Sequence, residues 1–407
     1  MTQPFDLVVM GASGFTGRLV VEYLLDRYGV GGSLRWAIAG RNQQKLQALA
    51  SSLGADDLPV IEADSHDRAS LDRLVTQTHV VCSTVGPYAL YGDELVAACV
   101  AAGTDYCDLT GEVPWMRRML DQHADEAHKT GARIVHCCGF DSIPSDMGVW
   151  FLQQAAMERL GQPLVEIKMG VEAMRGKMSG GTAASMMNII QESQQDPHTA
   201  KVLKNPFALC PEGMQSGPRQ PYVKGPQFDQ GLNAWLAPFV MAAINTRVVH
   251  KSHALAGRPW GDGFVYDEAM MTGRGWKGRR RAWVWSLMLG GFALGSAIKP
   301  IRALMKKTVL PEQGEGPSQQ ERERGFFKLR FFGKTADGQM LSARVTGDRD
   351  PGYGSTAKML SEAAVCLATQ CSKGAVAGGF WTPSTALGEA LRQRLVESAG
   401  LTFELID

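Results

Sequence analysis

The sequence predicts an α/β protein, with a doubly wound parallel sheet toward the N-terminus and a second domain of largely antiparallel strands. Three observations carry this prediction. Short apolar runs alternate with helix-like stretches through the first 140 residues, at the spacing of strand–helix units. The first run ends in a glycine-rich turn that opens an amphipathic stretch. Farther along, paired runs separated by turn residues replace that alternation.

Phe5–Met10 is the first predicted strand, and Gly11-Ala12-Ser13-Gly14-Phe15-Thr16-Gly17 follows it directly, opening a helix over Phe15–Tyr28. Gly11 permits a tight turn, Gly14 lets backbone approach a pyrophosphate, and Gly17 lets the helix pack closely on the strand. The helix N-terminus adds free N–H groups and a positive dipole end. A dinucleotide site that includes Ser13, Phe15 and Thr16 is therefore expected. The second strand, Leu34–Ala39, ends in Gly40-Arg41-Asn42. An NAD site would place Asp or Glu near here to hold the ribose 2′-hydroxyl, and such a carboxylate would repel a 2′-phosphate. Arg41 can instead grip that phosphate with paired donors, with Lys45 one turn further on. NADP(H) is favoured over NAD(H).

Strands over Leu58–Ala63, His79–Val85, Asp105–Leu109 and Arg133–Cys138 continue the pattern. Helices over Gln43–Leu53, Asp67–Gln77, Gly92–Ala102 and Pro114–Thr130 separate them. Right-handed crossovers put all strand C-termini on one sheet edge, where a ligand crevice forms. Asp64 would then meet the adenine side of the cofactor. Thr84-Val85-Gly86-Pro87-Tyr88 would lie beside the nicotinamide ribose, with Thr84, Val85 and Gly86 as cofactor contacts. The loops Asp108–Glu112 and Gly139–Asp146 complete the edge, although Ser65, Thr110 and Ser142 suit helix caps equally well. Tyr88, Tyr91, Asp108, Glu112, Asp141 and Asp146 would give an acidic, aromatic lining suited to a neutral substrate.

From about residue 164 the pattern changes. Val165–Ala173 reads as a strand, and Ser179-Gly180-Gly181-Thr182 precedes a helix from Ala183 to about Gln195. Asn205–Gly231 is rich in Pro and Gly and reads as a long irregular loop that could cover the pocket. Phe326–Phe332 and Gln339–Thr346, separated by Asp337-Gly338, read as a hairpin. Pro311–Gly325 reads as an exposed loop, and helices over Thr356–Thr369 and Ser384–Ser398 close the chain.

A formal charge of +1 over 407 residues gives no argument for nucleic acid. The eight cysteines show no CxxC pair, which suits buried thiols and a reducing cytoplasm. No basic stretch followed by an apolar signal core opens the chain, so a cytoplasmic location is expected, with peripheral membrane contact as an extension. His123 and His128 are five apart and fall on different helix faces, so no metal site is expected.

Ala282–Ile298 carries no charge, is preceded by Arg274, Lys277, Arg279, Arg280 and Arg281, and is followed by Lys299, Arg302, Lys306 and Lys307. As a helix it covers about 25 Å, short of a hydrocarbon core. Basic residues on both flanks select no orientation across a bilayer. The segment, within the stretch 274–307, suits a helix lying on an anionic membrane surface. A buried helix or a dimer contact is the alternative, and Gly291 and Gly295 would allow close helix packing.

The chain resembles the saccharopine dehydrogenase-like oxidoreductases, a family that includes the trans-acting enoyl reductases. The resemblance rests on Gly11–Gly17, Ala39-Gly40-Arg41, Thr84–Tyr88 with Tyr91-Gly92, and Tyr106–Glu112. It continues through Gly139–Asp146, Ser179–Thr182 and Gly352-Tyr353-Gly354-Ser355-Thr356-Ala357. It implies a Rossmann domain over 1–146, an inserted α/β domain for substrate or dimerisation over 147–350, and C-terminal helices over 351–407 returning to the first domain. It also implies an oxidoreductase, with lipid-linked roles in some members.

The reading that joins these points is an NADP(H)-dependent reductase of a hydrophobic or lipid-derived substrate at or near a membrane. Tyr88, or else Tyr106, would donate the proton that accompanies the hydride, and Asp141 would orient that donor or the substrate. A non-catalytic NADP(H)-binding scaffold or sensor at the membrane is the second reading. A soluble saccharopine-type amino-acid dehydrogenase is the third. The antiparallel strands of the second domain could pair into a homodimer.

Overall fold

The computed structural model describes residues 3–176, 180–298 and 316–406. The chain forms two compact units. The first contains residues 3–140, 316–317 and 352–399, and the second contains 141–176, 180–298, 318–351 and 400–406.

The first unit is built on a parallel sheet of seven strands. They are β1 (Phe5–Met10), β2 (Trp36–Gly40), β3 (Val60–Glu62), β4 (Thr78–Ser83), β5 (Asp105–Asp108), β6 (Arg133–Val135) and β13 (Gly379–Trp381). Their spatial order is β13-β6-β5-β4-β1-β2-β3. The central strands carry apolar residues on both faces because both faces are covered: Leu7, Val8, Val9, Ile38, Val80, Val81 and Tyr106 are all fully buried. The helix Thr356–Thr369 packs against β1, β4 and β5 and against the helix Phe15–Tyr28. Its buried Glu362 accepts hydrogen bonds from Tyr23 Oη (2.7 Å), Tyr28 Oη (2.7 Å) and Arg394 Nε (2.8 Å). One carboxylate thereby ties three helices together and fixes the helix that opens at the glycine turn. Asp105 and Arg133 form a buried ion pair between β5 and β6, with Nε to Oδ2 at 3.0 Å, and Arg133 also donates to the Leu367 carbonyl of the helix Thr356–Thr369.

The second unit carries a mixed sheet. Its strands are β7 (Leu164–Arg175), β8 (Gln227–Asp229), β9 (Ala234–Pro238), β10 (Val265–Gly273), β11 (Phe326–Thr335), β12 (Met340–Gly347) and β14 (Leu401–Ile406). They lie in the order β14-β12-β11-β7-β10-β9-β8. Every pairing is antiparallel except β7 with β10. The hairpin forms with Lys334 opposite Met340, and Gly338 (φ +93°) turns the chain.

Several elements differ from the sequence reading. Asn205–Gly231 is not wholly irregular, because Gln227–Asp229 pairs with β9. The helix Ala242–Leu255 and strands β9 and β10 had no distinct sequence signal. Residues 351–407 do not act as one returning helical segment. Leu401–Ile406 extends the second sheet as the partner of β12, since Leu401, Phe403 and Leu405 alternate with Thr402, Glu404 and Ile406 along a strand-forming run. Ser179 and the first five residues of the predicted loop Pro311–Gly325 lie outside the described residues, while Gln319–Glu323 forms a short helix behind a Ser318–Glu321 capping box. The eight cysteines are thiols and not disulfides, seven of them buried.

Candidate functional site: a dinucleotide cradle

β1 lies between β4 and β2, so its C-terminal end opens where the strand order reverses, the position at which such sheets bind ligands. Gly11 leaves the strand with φ of +87°, and a Cβ there would lie 2.6 Å from Val85 Cγ2 and 2.8 Å from Thr84 Oγ1. Thr84 Oγ1 in turn donates to the carbonyls of Met10 (3.1 Å) and Gly11 (3.2 Å). The turn after β1 and the loop after β4 are thus in direct contact, and that contact is possible only with glycine at position 11. A Cβ on Gly17 would come within 2.2 Å of the Gly11 carbonyl oxygen, so glycine is needed there for the helix to approach the strand.

Gly14 caps the helix without a side-chain hydrogen bond, and Ser13 and Gly14 are exposed. The N–H groups of a helix's first turn have no partner within the helix. Together these features make an anion-binding cradle. Phe15 packs edge-on against Tyr353, with ring centroids 4.8 Å apart, which brings the Gly352–Ala357 motif beside the turn. That motif also supports the loop after β6, because Thr356 Oγ1 accepts from the Phe140 N–H at 3.1 Å.

The Gly11 N–H donates to the Ala39 carbonyl at 2.9 Å, which places Arg41 two residues beyond the carbonyl that anchors the turn. Arg41 is exposed and makes no hydrogen bond or ion pair among the described residues. Asn42 Oδ1 caps the next helix through the Lys45 N–H (2.9 Å), which leaves the exposed Lys45 side chain on its first turn. Asp64 closes an Asx turn onto the His66 N–H at 2.9 Å. A glycine cradle with uncapped N–H groups and an unpaired guanidinium fits a 2′-phosphorylated dinucleotide.

Other side chains assigned to the pocket have different work. Glu112 accepts from the N–H groups of Tyr88 and Ala89 (both 2.9 Å), capping the short helix Tyr88–Tyr91. Asp108 is fully buried, accepting from Thr110 N–H (3.1 Å) and Cys137 N–H (3.2 Å) and lying 2.7 Å from His136 Nδ1. Asp146 accepts from Ser252 Oγ in the interior of the second unit. These carboxylates hold the backbone and the core in place and do not form an acidic lining. No sequence spacing signals such long-range bonds, because Glu112, Cys137 and Ser252 each meet a partner more than twenty residues away.

The tyrosines are also interior. Tyr88 Oη donates to the Ser83 carbonyl at 3.0 Å and accepts a longer bond from Leu109 N–H at 3.4 Å, and its ring packs on Trp115. Tyr106 is fully buried in β5, edge-on to His136. Burial pushes both phenols well above their ordinary pKa. Both hydroxyls lie in the interior of the first unit. Asp141 differs from them: it is half-buried, has no hydrogen bond or ion pair among the described residues, and desolvation raises its pKa to about 7.

A doubly wound parallel sheet with this cradle at its switch point defines an NADP(H)-dependent oxidoreductase. Residues 7–135 match the family model for the saccharopine dehydrogenase NADP binding domain. The chain belongs to the saccharopine dehydrogenase-like oxidoreductase family, whose members include proteins named trans-acting enoyl reductases. It is 39% identical to a Mycobacterium tuberculosis protein named as a candidate trans-acting enoyl reductase, over 98% of this chain and 97% of that one. It is 36% identical to the trans-acting enoyl reductase of Mycobacterium ulcerans, over 97% and 96% of the two chains. Among solved structures, it shares its fold with the L-Glu-forming saccharopine dehydrogenase of Saccharomyces cerevisiae (TM-score 0.50, 14% identity, 98% and 99% covered).

Proposed function

We propose that this protein is an NADPH-dependent reductase of a hydrophobic acyl substrate with an activated carbon–carbon double bond, acting at or near a membrane surface. The observation that carries the reading is the glycine cradle joined to the unpaired Arg41, in a chain similar from end to end to proteins named enoyl reductases. When bound, NADPH supplies a hydride. The exposed turn at Ser13–Thr16 holds the pyrophosphate, and Arg41 with Lys45 holds the 2′-phosphate. Thr84, Val85 and Gly86 flank the nicotinamide ribose. Reduction of the double bond adds the hydride to one carbon and a proton to its neighbour. That proton comes from a group of this chain or from water, and Asp141, whose carboxyl burial raises to about 7, is the side chain that the pH profile of turnover tests. A carboxyl with a pKa near 7 holds a proton at neutral pH in a large share of molecules.

Support for membrane contact comes from the helix Gly275–Ala297. Trp276, Trp283, Leu287 and Leu294 are 71%, 50%, 68% and 70% exposed, and Arg274 at the N-cap with Arg280 and Arg281 in the helix are exposed basic residues. No helix among the described residues is long and apolar enough to cross a membrane, so the reading is of a helix lying on the surface. The basic residues from Lys299 onward lie outside the described residues.

The test is transfer of deuterium from stereospecifically 4-deuterated NADPH to 2-dodecenoyl thioesters, read as a one-dalton gain in the saturated product. Tight NADPH binding with no transfer to any enoyl thioester would favour a non-catalytic NADP(H)-binding protein. For the membrane part, Leu287→Asp combined with Trp283→Asp should cut sedimentation with anionic vesicles at least tenfold, and undiminished binding would remove that part.

A further inference from the structure

A cavity of about 720 Å³ lies within the second unit, between the stretch 203–222 and the helix Ala242–Leu255. None of its lining residues takes part in the cofactor cradle. Its volume is that of a site for a small organic ligand. Phe207, Pro218, Pro221 and Ala242 give it apolar walls.

Arg247 lines this cavity while only 7% exposed. Its Nε donates to the Asn205 carbonyl at 3.1 Å, Nη2 donates to the Leu203 carbonyl at 2.5 Å, and Nη1 donates to the Ala243 carbonyl. These bonds use three of the five guanidinium donors and leave one on each Nη. No carboxylate pairs with Arg247 among the described residues. A buried cation without a counter-charge is costly, and buried charges in proteins are nearly always paired.

Nothing else on the cavity wall supplies the missing charge. The other charged groups there are Lys204 and Arg219, both basic, and Asp267. Asp267 is 5% exposed, accepts from the Glu268 N–H at 2.8 Å, and is pushed by burial up to about 7. The walls thus combine apolar surface from Phe207, Pro218, Pro221 and Ala242 with polar groups such as Asn205, Gln220 and Thr246, and the fixed charge is net positive.

We infer that this cavity binds a small molecule with a carboxylate head and an apolar body, the head pairing with the two remaining Nη donors of Arg247. A carboxylate matches the planar fork in a bidentate arrangement, and the apolar walls take the rest of the molecule. The inference does not depend on the cofactor cradle or on the proposed reaction.

Dodecanoate and its neutral counterpart dodecanol serve as probes, titrated calorimetrically into the full-length protein. Dodecanoate should bind at least tenfold more tightly than dodecanol. Arg247→Met, which keeps the length and removes the charge, should weaken dodecanoate about ten- to a hundredfold and leave NADPH affinity unchanged. Equal affinity for the two probes, or undiminished dodecanoate binding by Arg247→Met, would overturn the inference. Because Arg247 also holds the stretch 203–205, a second measurement uses the unaltered protein. A photoreactive diazirine dodecanoate should crosslink to peptides covering 203–222 or 242–247, and crosslinks confined to other segments would overturn the site.

Discussion

Replacing Arg41 by Ala should separate NADPH from NADH without touching the fold. The side chain is exposed and makes no hydrogen bond or ion pair among the described residues, so its removal leaves no orphaned partner. Surface substitutions of that kind change stability by no more than about 0.5 kcal/mol. What is lost is the interaction with the 2′-phosphate. Hydrogen bonds to charged groups contribute about 1.5–3 kcal/mol, and the exposure of Arg41 favours the lower figure. NADPH affinity should therefore fall about tenfold or somewhat more, while NADH affinity stays constant. Arg41→Asp should go further, because a carboxylate repels the phosphate and can accept from a ribose 2′-hydroxyl. Fluorescence titration of both nucleotides against each variant provides the measurement. An equal loss for NADH and NADPH, or no loss for NADPH, would refute the assignment of Arg41 and with it the reasoning from the end of β2.

Three further perturbations test other parts of the structure. Gly17→Ala should weaken both nucleotides and lower stability by about 1–3 kcal/mol in denaturant titration, because its Cβ would meet the Gly11 carbonyl oxygen at 2.2 Å. Tyr88→Phe should cost about 1 kcal/mol of stability through the Ser83 carbonyl left without its donor, with turnover within about twofold of the parent; a large fall in turnover at unchanged stability would restore Tyr88 as a proton donor. Asp141→Asn should lower turnover about 10²-fold or more at unchanged NADPH affinity and abolish a fall in rate as pH rises through about 7. Asp141, Asp267 and Glu268 are each raised to about 7 in the folded protein, so the folded state holds these protons more tightly than the unfolded chain. Their contribution to stability is full below about pH 4 and declines as pH rises through about 7, and Asp141→Asn should flatten that decline in thermal melts.

The parts legible in the sequence are those governed by local rules. The turn after β1 needs glycine at fixed offsets, and the central strands carry apolar residues on both faces because both faces are covered, so both could be placed to within a residue or two. The helix Ala242–Leu255 escaped because it is buried on several faces and carries Asn245, Arg247, His250 and Lys251 inside, which erases the amphipathic pattern. β10 escaped because Asp267 and Glu268 sit buried in its middle and make it read as polar. In the site, the glycines and Arg41 act through their own backbone or their own charge and could be read directly. Glu112, Asp108 and Tyr88 bond to partners distant in the chain, which their residue types alone do not signal.

The pairing of Leu401–Ile406 with β12 bears on how this chain can be made and cut. Both units are discontinuous, and the first requires 352–399 in addition to its N-terminal stretch. No contiguous fragment therefore contains one unit whole without a large part of the other, and a chain cut near residue 350 would lack the helix carrying Glu362. During synthesis, β12 emerges more than fifty residues before its partner strand. Until then its outer edge offers unpaired N–H and C=O groups to any passing strand. Removing Leu401–Ile406 would expose that edge, so shortening the chain at Ala399 should favour aggregation over loss of cofactor binding.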